Sequence, residues 1–83
     1  MTRSSRTLRR VLSGRSDANI RFNELRLLLI RLGFLERVRG SHHIFRREGI
    51  ADRPNLQRDG NNAKPYQVRQ IRRIIEAHGL EEL

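Results

Sequence analysis

The sequence predicts an α+β domain, an α-β-β-β-α sandwich with two helices on one face of a three-stranded antiparallel sheet, preceded by a basic N-terminal extension. Three observations carry this. Leu25, Leu28, Leu29 and Leu32 recur at helical spacing and stop at Gly33, a residue suited to end a helix. Two strand-forming runs, 34–39 and 42–48, are separated by Gly40-Ser41, which reads as a β-hairpin because Gly supplies the positive φ of a tight turn. Val68, Ile71, Ile74 and Ile75 then form a second helical stripe just after Pro65.

Each element follows in order. Residues 1–19 form the extension and 20–83 the domain. In the extension Leu8, Val11 and Leu12 predict a short helix over about 5–13 that Gly14 ends. Asp17-Ala18-Asn19 suits a turn. Asn23 is the expected N-cap of the next helix, with Glu24 in its first turn, where the dipole favours an acid. Leu27 and Ile30 widen its apolar side, so burial on more than one stripe is expected. Asn55-Leu56-Gln57 reads as a third, edge strand beside Pro54. Residues 58–63 read as a polar loop. Pro65 fits the first turn of the last helix, where its missing N–H costs nothing. Arg69, Arg72 and Arg73 are expected on that helix's solvated side, and Gly79 stops it.

An 83-residue chain supports one small domain. The absence of Cys removes disulfides and thiol chemistry. No apolar run approaches the roughly 20 residues that span a bilayer, and the arginine-bearing start lacks the apolar stretch of a secretory signal, so a cytoplasmic location is expected. There are 18 basic residues against 9 acidic ones, and Lys64 is the only lysine. Arg presents a planar fork that meets phosphate oxygens in pairs. A small chain this rich in Arg points to a polyanionic partner, RNA or DNA. No basic amphipathic helix favours a membrane surface.

The Gly33-Phe34 helix end, the Gly40-Ser41-His42-His43-Ile44-Phe45 hairpin, Asn55-Leu56-Gln57 and the Ala63-Lys64-Pro65-Tyr66-Gln67-Val68-Arg69-Gln70 segment together resemble the HicA toxins of bacterial and archaeal toxin–antitoxin pairs. The resemblance covers about 23–80. It implies a double-stranded-RNA-binding-like fold, in agreement with the element order. It implies an mRNA interferase, a ribonuclease that cleaves transcripts and blocks translation, and a HicB-like antitoxin protein that neutralises it. It maps the family's catalytic histidine to His42. The longer basic extension departs from the smallest members.

RNA is cleaved without a metal when a base takes the 2′-hydroxyl proton, an acid protonates the leaving 5′-oxygen and a cation steadies the charge on phosphorus. Imidazole suits proton transfer because it titrates near neutral pH. Arg37, Arg39, Arg46 and Arg47 lie within one hairpin of His42. Lys64 stands at the entrance to the last helix. With the turn residue Ser41 they form the expected RNA-binding set, and no metal or cofactor is expected. Adjacent strand residues point to opposite faces, so His42 and His43 do not act as a pair. Alternation does not decide between them, because Ile44 and Phe45 put an apolar residue on each face. On residue physics alone both are ordinary hairpin residues; only the resemblance selects His42. Tyr66 is expected to cap the core, His78 to serve the helix dipole, and Asp17, Asp52 and Asp59 to be loop and cap residues. A non-catalytic RNA-binding domain of the same fold is the alternative. A DNA-binding module lacks a helix-turn-helix spacing, since a hairpin follows Gly33.

Overall fold

A computed structural model of the chain describes residues 5–83. The first four residues of the basic extension lie outside that range. Helix α1 spans Arg6–Ser13, α2 Phe22–Arg31 and α3 Pro65–His78. Strands β1 (Leu35–Arg39), β2 (His42–Arg46) and β3 (Asn55–Leu56) pair antiparallel in that order. A separate two-stranded ribbon joins β4 (Arg58–Asp59) to β5 (Asn62–Ala63). The helix–strands–helix order of a small α+β domain is therefore present, with α1 added in front. Among the described residues no helix is long and apolar enough to cross a membrane.

Helix α1 forms where the Leu8–Val11 spacing predicts it. The Ser5 hydroxyl accepts from the Leu8 N–H at 3.1 Å, and Gly14 closes the helix in the left-handed region at φ 72°. Leu8 and Val11 are buried in the same core as α2 and α3. Arg72 fastens α1 to α3: its guanidinium donates to both carboxylate oxygens of Asp17, at 2.9 and 3.1 Å, and to the Val11 carbonyl at 3.0 Å. This corrects the expectation that Arg72 lies on a solvated face.

Helix α2 starts at Phe22, not beyond Asn23, and Arg21 occupies the N-cap. Phe22 is fully buried, and its N–H donates to the Asn61 carbonyl at 2.9 Å. Tertiary packing thus sets the N-cap two residues earlier than the better capping side chain, Asn23. Glu24 returns its carboxylate to the Arg21 N–H at 3.0 Å. Leu25, Leu28, Leu29 and Leu32 are fully buried, whereas Leu27 and Ile30 are 45% and 39% exposed. The helix buries one stripe, because the sheet covers only one of its sides.

The β1–β2 register pairs Leu35 with Arg46, Arg37 with Ile44 and Arg39 with His42 on one face, and Glu36 with Phe45 and Val38 with His43 on the other. The turn sits at Gly40 (φ 57°) and Ser41, the expected position. Phe45 and Leu56 join the helices in the core, so the helices cover the Phe45 face. The polar loop expected over 58–63 is instead the β4–β5 ribbon, with Gly60 at φ 60° in its two-residue turn. The Ala63 N–H donates to the Ile20 carbonyl at 2.8 Å, which ties this ribbon to the entry of α2.

Candidate nucleic-acid interface and active site

The face of the sheet away from the helices carries four of the seven predicted site residues, Arg37, Arg39, His42 and Arg46, in an ordered array. Across β1, β2 and the β3 side, one row holds Arg39, His42 and Gln57, and the next holds Arg37, Ile44 and Asn55. The third row holds Leu35 and Arg46, and the Phe45 N–H donating to the Pro54 carbonyl at 2.8 Å carries the register on to Arg53. Rows are about 7 Å apart, two residues at roughly 3.3 Å each.

His42 is exposed on this face. Its Nδ1 lies 3.2 Å from Asn55 Oδ1, and its Nε2 lies 3.3 Å from Gln57 Nε2. An amide oxygen can only accept, so Nδ1 carries the proton and Nε2 keeps a lone pair toward the Gln57 amide. Gln57 lies opposite His42 in the continued register, and Asn55 lies one row away on the same face. Neither belongs to the site expected from the sequence; the signal the sequence carries for them is their i, i+2 spacing on an edge strand. Asn55 is itself held: buried Gln67, in the first turn of α3, donates its Nε2–H to the Asn55 carbonyl at 3.1 Å.

His43 points the other way. Its Nδ1–H donates to Glu36 Oε2 at 2.8 Å, and Arg26 Nε donates to the same oxygen at 2.6 Å. Its ring meets Phe22 edge-on with centroids 4.8 Å apart, and the Arg58 guanidinium lies 4.5 Å from the Phe22 ring centre. The bond from Arg26, with help from His43 and against the opposing pull of burial, holds the Glu36 carboxyl below the usual carboxylate range. His43 is therefore part of the packing between α2 and the sheet.

The arginines divide in the same way. Arg10 pairs with Glu24, Arg26 with Glu36, Arg31 with Glu82 and Arg72 with Asp17. Among the described residues no carboxylate forms an ion pair with Arg37, Arg39, Arg46 or Arg53. These four remain available to an external anion. Arg47 stands apart from them. Its Nη1 donates to the Leu32 carbonyl at 2.7 Å, its stem lies against Gly33, and it closes the C-terminus of α2.

Ser41 is exposed in the hairpin turn. Lys64 is the half-buried N-cap residue of α3. Its helix reaches the array through Gln67 and Asn55. Tyr66 is 54% exposed and does not cap the core, because the adjacent Gln67 and Val68 turn inward in its place. His78 ends α3, with Nε2 3.8 Å from Asp52 Oδ2. Among the described residues no group of three or more His, Asp or Glu side chains converges. Comparisons with protein-family models, with curated proteins and with solved structures return no match.

Proposed function

We propose that the protein is an endoribonuclease of the kind implied by its resemblance to HicA toxins, an mRNA interferase on a double-stranded-RNA-binding-like fold that acts in the cytoplasm. The observation that carries this reading is the setting of His42. Its imidazole stands exposed on the outer sheet face, with its Nδ1–H bound by Asn55 and its Nε2 lone pair facing outward to a displaceable side-chain amide. Arg37 and Arg39, which form no ion pair among the described residues, flank it.

In this mechanism Nε2 of His42 takes the proton of a ribose 2′-hydroxyl, which replaces the Gln57 amide at that nitrogen. The 2′-oxygen attacks phosphorus, and the bond to the 5′-oxygen breaks. The products are a 2′,3′-cyclic phosphate and a 5′-hydroxyl, whose proton comes from solvent. Arg39, directly across from His42, and Arg37, one row away, offset the charge that builds on the phosphoryl oxygens. Asn55 steadies the imidazolium that forms.

Resemblance to the HicA pairs also supports a HicB-like partner. Charge complementarity gives that partner an acidic contact face over the arginines around His42.

A side-by-side assay of melting, RNA binding and cleavage tests the proposal. His42→Ala should melt like the wild type and lose little affinity, since phosphate contacts dominate binding. Its cleavage should fall by about 10² or more. Unchanged cleavage in His42→Ala, or RNA binding without cleavage by the wild type, overturns it in favour of a non-catalytic RNA-binding domain.

A further inference from the structure

The outer sheet face has an open groove of about 650 Å³ beside His42, lined by Leu35, Arg37, Arg39, Ile44, Arg46 and Arg53. We infer that this groove is a subsite for single-stranded RNA, holding the nucleotides that lie to one side of the bond His42 attacks. The inference rests on the ribonuclease reading and extends it along the substrate.

Three features argue for it. First, the four arginines of the groove have no ion-pair partner among the described residues, while four of the arginines elsewhere are neutralised by carboxylates. Glu36 also borders the groove, but its carboxylate turns to the inner face and is held by Arg26 and His43. The groove therefore presents positive charge to solvent.

Second, the arginines are graded along the strands. Arg39 lies across from His42, Arg37 is one row further, and Arg46 with Arg53 is two rows away, ~13 Å along β2 from His42. A single phosphate contact at His42 does not need this length. A strand running down the face would meet guanidinium groups at successive phosphates.

Third, the floor is apolar. Ile44 occupies the centre, and Leu35 is 65% exposed at the far end. Apolar floor between arginine planes suits unpaired bases, which can lie on the aliphatic surface or stack on guanidinium groups. An A-form duplex offers only its backbone and minor-groove edges to such a face. A duplex also holds the 2′-hydroxyl off the line of the leaving oxygen, whereas a single strand can rotate into it.

The test uses the full chain and a fluorescent RNA 12-mer, fully 2′-O-methylated so that it binds without being cut. Anisotropy is measured from low to moderate salt, on the single strand and on its blunt duplex, together with cleavage of the unmodified 12-mer. The variants are the triple substitution Arg37→Ala, Arg46→Ala, Arg53→Ala, and Arg73→Ala, an exposed arginine of α3, as control. The wild type should prefer the single strand by about tenfold or more. The triple variant should lose at least tenfold in affinity, with a salt slope shallower by ~0.7 for each phosphate contact removed; Arg73→Ala should bind like the wild type. Unchanged affinity and slope in a folded triple variant overturn the subsite. Equal wild-type binding of duplex and single strand overturns its strand preference. Cleavage by the wild type reports separately on His42: binding through the groove without cleavage leaves the subsite standing and removes the ribonuclease reading, and cleavage with unchanged groove binding does the reverse.

Discussion

His42 Nδ1 lies 3.2 Å from Asn55 Oδ1, and the contact runs diagonally between neighbouring strands of the sheet. The bond decides which imidazole nitrogen carries the proton and leaves Nε2 as the acceptor. Asn55 in turn is anchored through its carbonyl by the buried Gln67.

Asn55 is therefore expected to act on cleavage through His42. Asn55→Ala should lower cleavage by about tenfold or more, a part of the ~10²–10⁴ that a positioned base contributes. Asn55→Asp keeps an acceptor at the same place and should recover most of the loss. It should also shift the acidic limb of the pH–rate profile to higher pH, because a carboxylate beside the Nδ1–H favours the protonated imidazole and delays the appearance of the free base. If Asn55→Ala and Asn55→Asp lose activity equally and keep the wild-type pH profile, Asn55 serves only the strand.

His43 should separate cleanly from its neighbour. It sits between Glu36 and the Phe22 ring, so His43→Ala removes a hydrogen bond and leaves a void beneath α2. A destabilisation of about 2 kcal/mol is expected. Cleavage per folded molecule should remain near the wild-type level. Denaturant unfolding and a cleavage assay well below the melting temperature check this. A stable His43→Ala protein that no longer cleaves would move the chemistry to the inner face.

The proposed attack uses the substrate's own hydroxyl and a protein base. Cleavage should therefore persist in excess chelator, and an RNA with 2′-deoxyribose at the cut site should bind but remain intact. Activity that disappears with chelator and returns with magnesium removes the acid–base mechanism.

Much of this fold was legible because burial leaves a periodic trace. Leu25, Leu28, Leu29 and Leu32 mark the inner stripe of α2, Val68 and Ile71 mark that of α3, and Gly40-Ser41 marks the hairpin. The face of His42 was not legible, since Ile44 and Phe45 offer apolar side chains to both sides. Only the pairing of Glu36 with Phe45 and the partners of His43 resolve it. Arginines are equally ambiguous in a sequence. Arg47 and Arg72 look solvated, yet their partners are the Leu32 carbonyl and the Asp17 carboxylate, 15 and 55 residues away along the chain. The β4–β5 ribbon leaves no trace in the sequence, because strands of two residues are too short to show alternation.

Acid stability follows from the carboxylates that tie the helices together. The Arg72 hydrogen bonds hold Asp17 below its ordinary value of 3.8 despite some burial. Glu36 and Glu82 are held below their ordinary 4.5. For Glu82 burial alone pushes upward, and the bonds from Ser5 and Arg31 outweigh it. In each case the folded pKa lies below the unfolded one, so the unfolded chain binds more protons in acid. The stabilisation is fully present above about pH 5, starts to fall through the ordinary carboxylate range, and is gone once pH drops below the folded values. The melting temperature should be flat from neutral pH to about pH 5 as far as these groups are concerned, and should decline below that. Asp17→Asn removes the charge that Arg72 grips and should cost about 2 kcal/mol near neutral pH. Its deficit relative to the wild type should shrink as the wild-type Asp17 becomes protonated, so the two melting curves converge in acid. Curves that stay parallel down through pH 3 would show that the deficit does not come from the charge on Asp17.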